Sequence, residues 1–152
     1  MVSNDKKIIT ILIADDDPED RQMTKEAFEE NNLINDLRFV CDGEELMDYL
    51  LRRSQFIDPL NSPRPGLILL DLNMPRKDGR EALKEIKSHP DLKGIPLIIL
   101  TTSKTEEDII RSYDLGVNCF ISKPVSFSEL IAVTKTIGKY WIEIVELPII
   151  NP

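Results

Sequence analysis

Apolar runs recur along the chain at Ile8 to Ala14, Leu37 to Cys41, Leu67 to Leu70, Leu97 to Leu100 and Cys119 to Ser122. They are continuous rather than alternating and rich in branched side chains, the pattern of short strands buried on both faces of a parallel sheet. Helical patterns fill the intervals. Asp17 is placed to cap a helix that opens with Pro18, carries Glu19 and Asp20 at the positive end of its dipole, and runs through about Glu30 with Met23, Ala27 and Phe28 inward. Asp42-Gly43 leads into a second helix bearing Leu46, Met47, Leu50 and Leu51, and a third is expected from about Asp78 to Ser88. Thr105 with Asp108, and Ser126 with Glu129, have capping-box spacing for two more. In the last, Leu130, Val133, Ile137, Trp141 and Ile144 keep helical spacing. Ser54 to Gly66 holds three prolines and reads as a long loop, an insertion or interaction site rather than catalytic. Five strands alternating with five helices predict an α/β fold: an open, doubly wound, five-stranded parallel sheet with helices on both faces. Its ligand site is expected at the carboxyl ends of the strands.

A length of 152 residues suits one domain and leaves no room for a second, full output domain. The net charge of −8 repels nucleic acid phosphates and anionic lipid, so neither nucleic acid nor membrane is an expected partner. Cys41 and Cys119 stand in apolar segments and read as reduced core residues, which fits a cytoplasmic protein. Lys6 and Lys7 precede an apolar run, but Asp15, Asp16 and Asp17 stop it, so it reads as a strand and not as a signal peptide.

What stands at the strand ends carries the chemistry. Asp15 and Asp16 follow the first strand, Asp71 the third, Thr101 the fourth and Lys123 the fifth. In the expected fold these converge. Three carboxylates so close must share a proton, pair with a cation or hold a metal, and Lys123 offsets only one charge. An all-oxygen donor set in an incomplete cage suits Mg2+. Asp71 is then the candidate nucleophile toward phosphorus, with Thr101 placed to donate to a phosphoryl oxygen. The sole histidine, His89, reads as a loop residue, which leaves multi-histidine zinc sites and Ser-His-Asp catalysis without parts.

Four segments, Ile11 to Pro18 (ILIADDDP), Leu69 to Gly79 (LLDLNMPRKDG), Leu100 to Thr102 (LTT) and Cys119 to Pro124 (CFISKP), together resemble the response-regulator receivers of two-component signalling. The resemblance spans roughly Ile8 to Tyr140. It implies a flavodoxin-like sheet with strand order 2-1-3-4-5, a free-standing receiver over residues 1–142 and an apolar C-terminal extension over 143–152. It also implies that Asp71 is the phospho-acceptor, that Asp16, Asp71 and the backbone carbonyl of Asn73 ligate Mg2+, and that Asp15 acts through a metal-bound water. Lys123 would contact the phosphoryl group. Thr101 and Phe120 would form the switch, although Phe120 lacks the hydroxyl of the tyrosine more usual there, and an aromatic side chain at that position is core packing first. The Lys123–Pro124 bond is expected to be cis by the same resemblance. Further segments (SPRPGLILLDLN, KDGREALKEIK, HPDLKGIP and WIEIVELP) are similar to the small regulators paired with cyanobacterial phytochrome histidine kinases, which implies a sensor histidine kinase of that type as partner.

The competing enzyme class is a magnesium-dependent aspartate-nucleophile phosphatase. Such enzymes carry a second acid two residues after the nucleophile, where this chain has Asn73. A nucleotide or flavin carrier on this fold needs a phosphate cradle where Asp15, Asp16 and Asp17 stand. The expected behaviour is self-directed phosphotransfer and autodephosphorylation, not turnover of an outside substrate. The tail holds Ile144, Val145, Leu147, Ile149 and Ile150, and Pro148 bars a continuing helix. A surface so apolar is expected to fold back or, preferably, to pack against a second copy in a homodimer.

Overall fold

A computed structural model of the chain describes residues 9–32 and 36–144. Strands β1 (Thr10–Ala14), β2 (Asp36–Val40), β3 (Leu67–Leu70), β4 (Leu97–Thr101) and β5 (Cys119–Ser122) alternate with helices α1 (Pro18–Glu30), α2 (Gly43–Leu50), α3 (Gly79–Ser88), α4 (Glu106–Leu115) and α5 (Phe127–Ile137). All neighbouring strands pair in parallel, in the order β2-β1-β3-β4-β5. The doubly wound sheet is as expected.

Successive strand side chains point to opposite faces, so each strand feeds two cores. Leu12, Leu70 and Ile99 pack with Leu46, Met47 and Leu50 of α2 and Leu83 and Ile86 of α3. Ile11, Ile13, Leu67, Leu69 and Ile98 pack on the other face with Phe28 of α1 and Ile137 of α5. Each of the five α-helices has a side-chain cap at its start. Asp17 accepts from the amides of Glu19 and Asp20, Asp42 from Glu45, Asp78 from Arg80, Thr105 from Asp108, and Ser126 from Glu129. Gly116 ends α4 at φ 103°, a left-handed conformation that suits glycine.

Several expectations need correction. The segment Ser54 to Gly66 contains two 3-10 turns, Ser54–Phe56 and Pro59–Asn61. It is fastened by its own polar groups: the Ser62 hydroxyl donates to the Phe56 carbonyl at 2.9 Å, the Tyr49 hydroxyl donates to the Pro63 carbonyl at 2.7 Å, and Arg64 donates to the Leu50 carbonyl. Beyond Ile137 the backbone winds on as a π-helix over Gly138–Ile144 instead of a regular α-helix, starting at a glycine, the residue that gains least from α-helical geometry after proline. Cys41 and Cys119 are free but only half-buried, and the Cys41 thiol donates to Glu45 Oε2 at 3.3 Å. His89 is likewise half-buried, its Nδ1 accepting from the Asp91 amide. No peptide bond among the described residues is cis, so Lys123–Pro124 is trans. The tail expectation falls largely on 145–152, outside the described residues.

β5 closes one edge of the sheet. On its outer side the Phe120 N–H donates to the hydroxyl of Tyr113 from α4, at 3.1 Å.

Candidate functional site

Each acid of the site sits where a buried strand runs out. The Asp15 amide bonds the Val40 carbonyl and the Asp71 amide the Ala14 carbonyl, both at 3.0 Å, so the sheet ladder continues just far enough to fix both residues. Their side chains are nearly enclosed, with relative exposures of 4% and 5%, whereas Asp16 is exposed. One carboxylate oxygen from each of Asp15, Asp16 and Asp71 lies within 4.8 Å of the others.

Two further side chains converge on Asp71. Thr101, wholly buried at the end of β4, donates its hydroxyl to Asp71 Oδ1 at 2.7 Å, and the Asn73 amide donates to the same oxygen at 3.0 Å. Lys123 Nζ stands 3.1 Å from Asp71 Oδ2, held there because its own amide bonds the Thr101 carbonyl at 2.8 Å. The ammonium also lies 2.7 Å from Asp15 Oδ2 and 2.7 Å from Asp20 Oδ2. Burial alone would lower the Lys123 pKa, but hydrogen bonds to Asp15 and Asp20 and the charges of Asp15 and Asp71 hold it above its ordinary value. Burial raises the Asp15 carboxyl, against the lowering effect of Lys123 and the Asp17 amide. The cluster is thus short of positive charge, and its hard oxygen donors fit a small divalent cation.

The loop after β3 is tight for a definite reason. A Cβ on Gly79 would lie 2.3 Å from the Asp71 carbonyl oxygen and 2.6 Å from Leu72 Cα, so only glycine lets α3 begin against the end of β3. The Gly79 amide closes the loop on the Leu72 carbonyl at 3.0 Å. Phe120 is half-buried and packs against the core on the α2–α3 face. Asn73 turns its side chain away from the acids, toward Thr102 Oγ1 at 3.3 Å and Arg80 Nη2 at 3.3 Å.

Reading the sequence as strand-end residues missed three members. Asp20, placed to complement the helix dipole, also reaches Lys123 from the first turn of α1. Arg80 and Asp108 form a two-pronged ion pair between α3 and α4, with Nε to Oδ1 at 2.7 Å and Nη2 to Oδ2 at 2.6 Å. Hydrogen bonding from Arg80 outweighs burial and, with Ser103 and Thr105, holds the Asp108 carboxyl well below the usual range. Asp20 falls one turn after the acidic run, a spacing that points inward at the same pocket, and was legible on that ground. Nothing in the spacing of Arg80 and Asp108 announces their pairing.

Residues 11–135 match the family described as the response regulator receiver domain. The chain is 42% identical over 146 residues to the response regulator Rcp1 of Synechocystis, covering 96% of each protein. It superposes with a TM-score of 0.86 on the phosphorylated cyanobacterial phytochrome response regulator RcpA, at 42% identity over 93% of this chain and 99% of that one. The Mn2+-bound form of Rcp1 gives a TM-score of 0.84 at the same identity and coverage.

Proposed function

Because the chain belongs to the response regulator receiver domain family, we propose that it is a switch in which Asp71 accepts a phosphoryl group from a phosphohistidine of a sensor kinase, with Mg2+ as the cation. The reading rests on the convergence upon one enclosed carboxylate of two more acids, a buried hydroxyl and an ammonium. Asp71 attacks the phosphorus, and an O–P bond forms as the N–P bond to the kinase histidine breaks. Asp16, Asp71 and the Asn73 carbonyl would ligate the cation, with Asp15 acting through a water. When bound, the cation supplies charge stabilisation to the phosphoryl oxygens. Lys123 holds a phosphoryl oxygen by its ammonium, and Thr101 donates to another once Asp71 is modified. In this reading Thr101 and Phe120 carry the change outward, Phe120 repacking from its place against the core.

A phosphatase acting on outside substrates is not favoured. Asn73 has no acidic proton to give a leaving group, and its amide is engaged by Thr102 and Arg80. The reaction is self-directed phosphotransfer followed by autodephosphorylation.

The kinase we propose is of the phytochrome type, because two relatives similar along nearly their whole length are, respectively, the regulator Rcp1 and a phytochrome response regulator, RcpA. Such a donor is charged by intracellular ATP, which puts the encounter in the cytoplasm. A homodimer through the C-terminal face and tail is the proposed assembly. Its support is a groove of roughly 500 Å³ between β5 and α5, walled by Ile121, Val133, Ile137, Tyr140 and Trp141. Removing the chain beyond Tyr140 is expected to lower the sedimenting mass to a monomer's, and equal masses would reject the tail contact.

The phosphotransfer reading is tested by intact mass after incubation with acetyl phosphate. One phosphoryl group that requires Mg2+ and is absent from Asp71→Asn is the expected result. An adduct that persists in Asp71→Asn, or turnover of a small phosphate ester, would overturn it.

A further inference from the structure

The loop between β4 and α4 is tied down from two sides. On one side Thr101 donates to Asp71 Oδ1 at 2.7 Å, and the Ser103 amide donates to Thr101 Oγ1 at 3.4 Å. On the other, the Ser103 hydroxyl donates to Asp108 Oδ2 at 2.5 Å, and Asp108 is gripped by both prongs of Arg80. Arg80 in turn reaches back to the acceptor loop, donating to the Leu72 carbonyl at 3.4 Å and to Asn73 Oδ1 at 3.3 Å. The contacts close a ring from Asp71 through Thr101, Ser103, Asp108 and Arg80 to Asn73. Asp108 is buried at 8% exposure, so its charge is screened far less than that of a surface pair.

We propose that Arg80 and Asp108 are positioning residues that latch Ser103, and through it hold Thr101 where it matches the unmodified Asp71 carboxylate. The inference rests on Asp71 being the acceptor. A phosphoryl group on Asp71 puts the charged oxygens two bonds farther from the backbone than the carboxylate oxygen that Thr101 now meets. Thr101 must move to follow them, and Ser103, two residues on, moves with it. A hydroxyl bonded to a buried, fixed carboxylate resists that displacement. The guanidinium fork makes the carboxylate rigid, which an ammonium at position 80 would not do. The latch therefore opposes the modified state and sets how much of the acceptor's binding energy is used in switching.

The test is affinity for beryllofluoride, a phosphoryl stand-in that is not hydrolysed, titrated with Mg2+ present and paired with urea unfolding of each variant. Asp108→Asn and Ser103→Ala are each expected to bind beryllofluoride roughly tenfold more tightly than the native protein, the scale set by losing one hydrogen bond to a charged group. The double variant should gain no more than the better single, since both cut the same ring. Tighter binding together with lower stability is a combination that a merely structural pair does not produce. Unchanged or weaker binding in folded Ser103→Ala, with the native protein binding normally, overturns the latch alone. If native protein and Asp71→Asn respond alike, the acceptor reading fails and the latch falls with it.

Discussion

Lys123 Nζ is as close to Asp20 Oδ2 on α1 as to Asp15 Oδ2, 2.7 Å in both cases, and closer to either than to Asp71. Asp20 thus gives the ammonium a partner that is not among the candidate metal ligands. Without it, Lys123 would turn wholly to Asp15 and Asp71 and compete with the cation for them. Asp20→Asn is expected to weaken Mg2+ binding about threefold, a modest effect because Asp20 is partly solvated. Calorimetric titration checks this, and tighter binding would contradict it.

Crowded like charges make a second expectation. In metal-free buffer, replacing Asp71 by Asn removes one of three carboxylates gathered around a single ammonium. Relief of repulsion should outweigh the lost contacts to Lys123 and Thr101, raising stability by about 1 kcal/mol. Mg2+ at a hundred times its Kd should add about 2.7 kcal/mol to the native protein and much less to the variant. Urea unfolding with and without the ion reads both.

Gly79→Ala tests how closely α3 approaches Asp71. The new methyl would press on backbone atoms of Asp71 and Leu72 that have no side-chain freedom to yield. A loss of about 2–3 kcal/mol is expected, the range for overpacking a rigid site, with slower labelling by acetyl phosphate.

A pH effect is expected far from the acids. Burial raises the Tyr49 phenol to about 12, and its proton is donated to the Pro63 carbonyl. Its folded pKa lies above the unfolded value, so this stability is fully present below about pH 10 and is lost as pH rises through 12. The amount at stake is about 2–3 kcal/mol. Tyr49→Phe should flatten the alkaline decline in stability, followed by chemical unfolding between neutral and alkaline pH.

Much of the fold was legible because a parallel sheet buries its strands on both faces. Leu67 to Leu70 could be little else, and the capping residues Asp17, Thr105 and Ser126 marked helix starts by local chemistry alone. The convergence of the main residues of the candidate site was legible because topology brings strand ends together, which placed Asp15, Asp71, Thr101 and Lys123 side by side. Partner choice was not. Arg80 and Asp108 are 28 positions apart and meet because of the spacing between two packed helices, which no local pattern encodes. The end of the last helix is not legible for a similar reason: apolar positions through Ile144 recur at intervals of three and four, a pattern that does not distinguish the π-helical winding from Gly138 onward from a regular helix.

The hydroxyl that Tyr113 offers to the Phe120 amide has a consequence for how these molecules meet one another. An edge strand with free amides is a template on which a foreign strand can grow, the beginning of aggregation. Here an outward amide is already occupied, on a strand only four residues long. A newcomer would have to displace the tyrosine to add itself to the sheet. Crowding at high concentration should therefore favour contacts between side chains that can come apart again, and the molecule can be concentrated without seeding fibres from this edge.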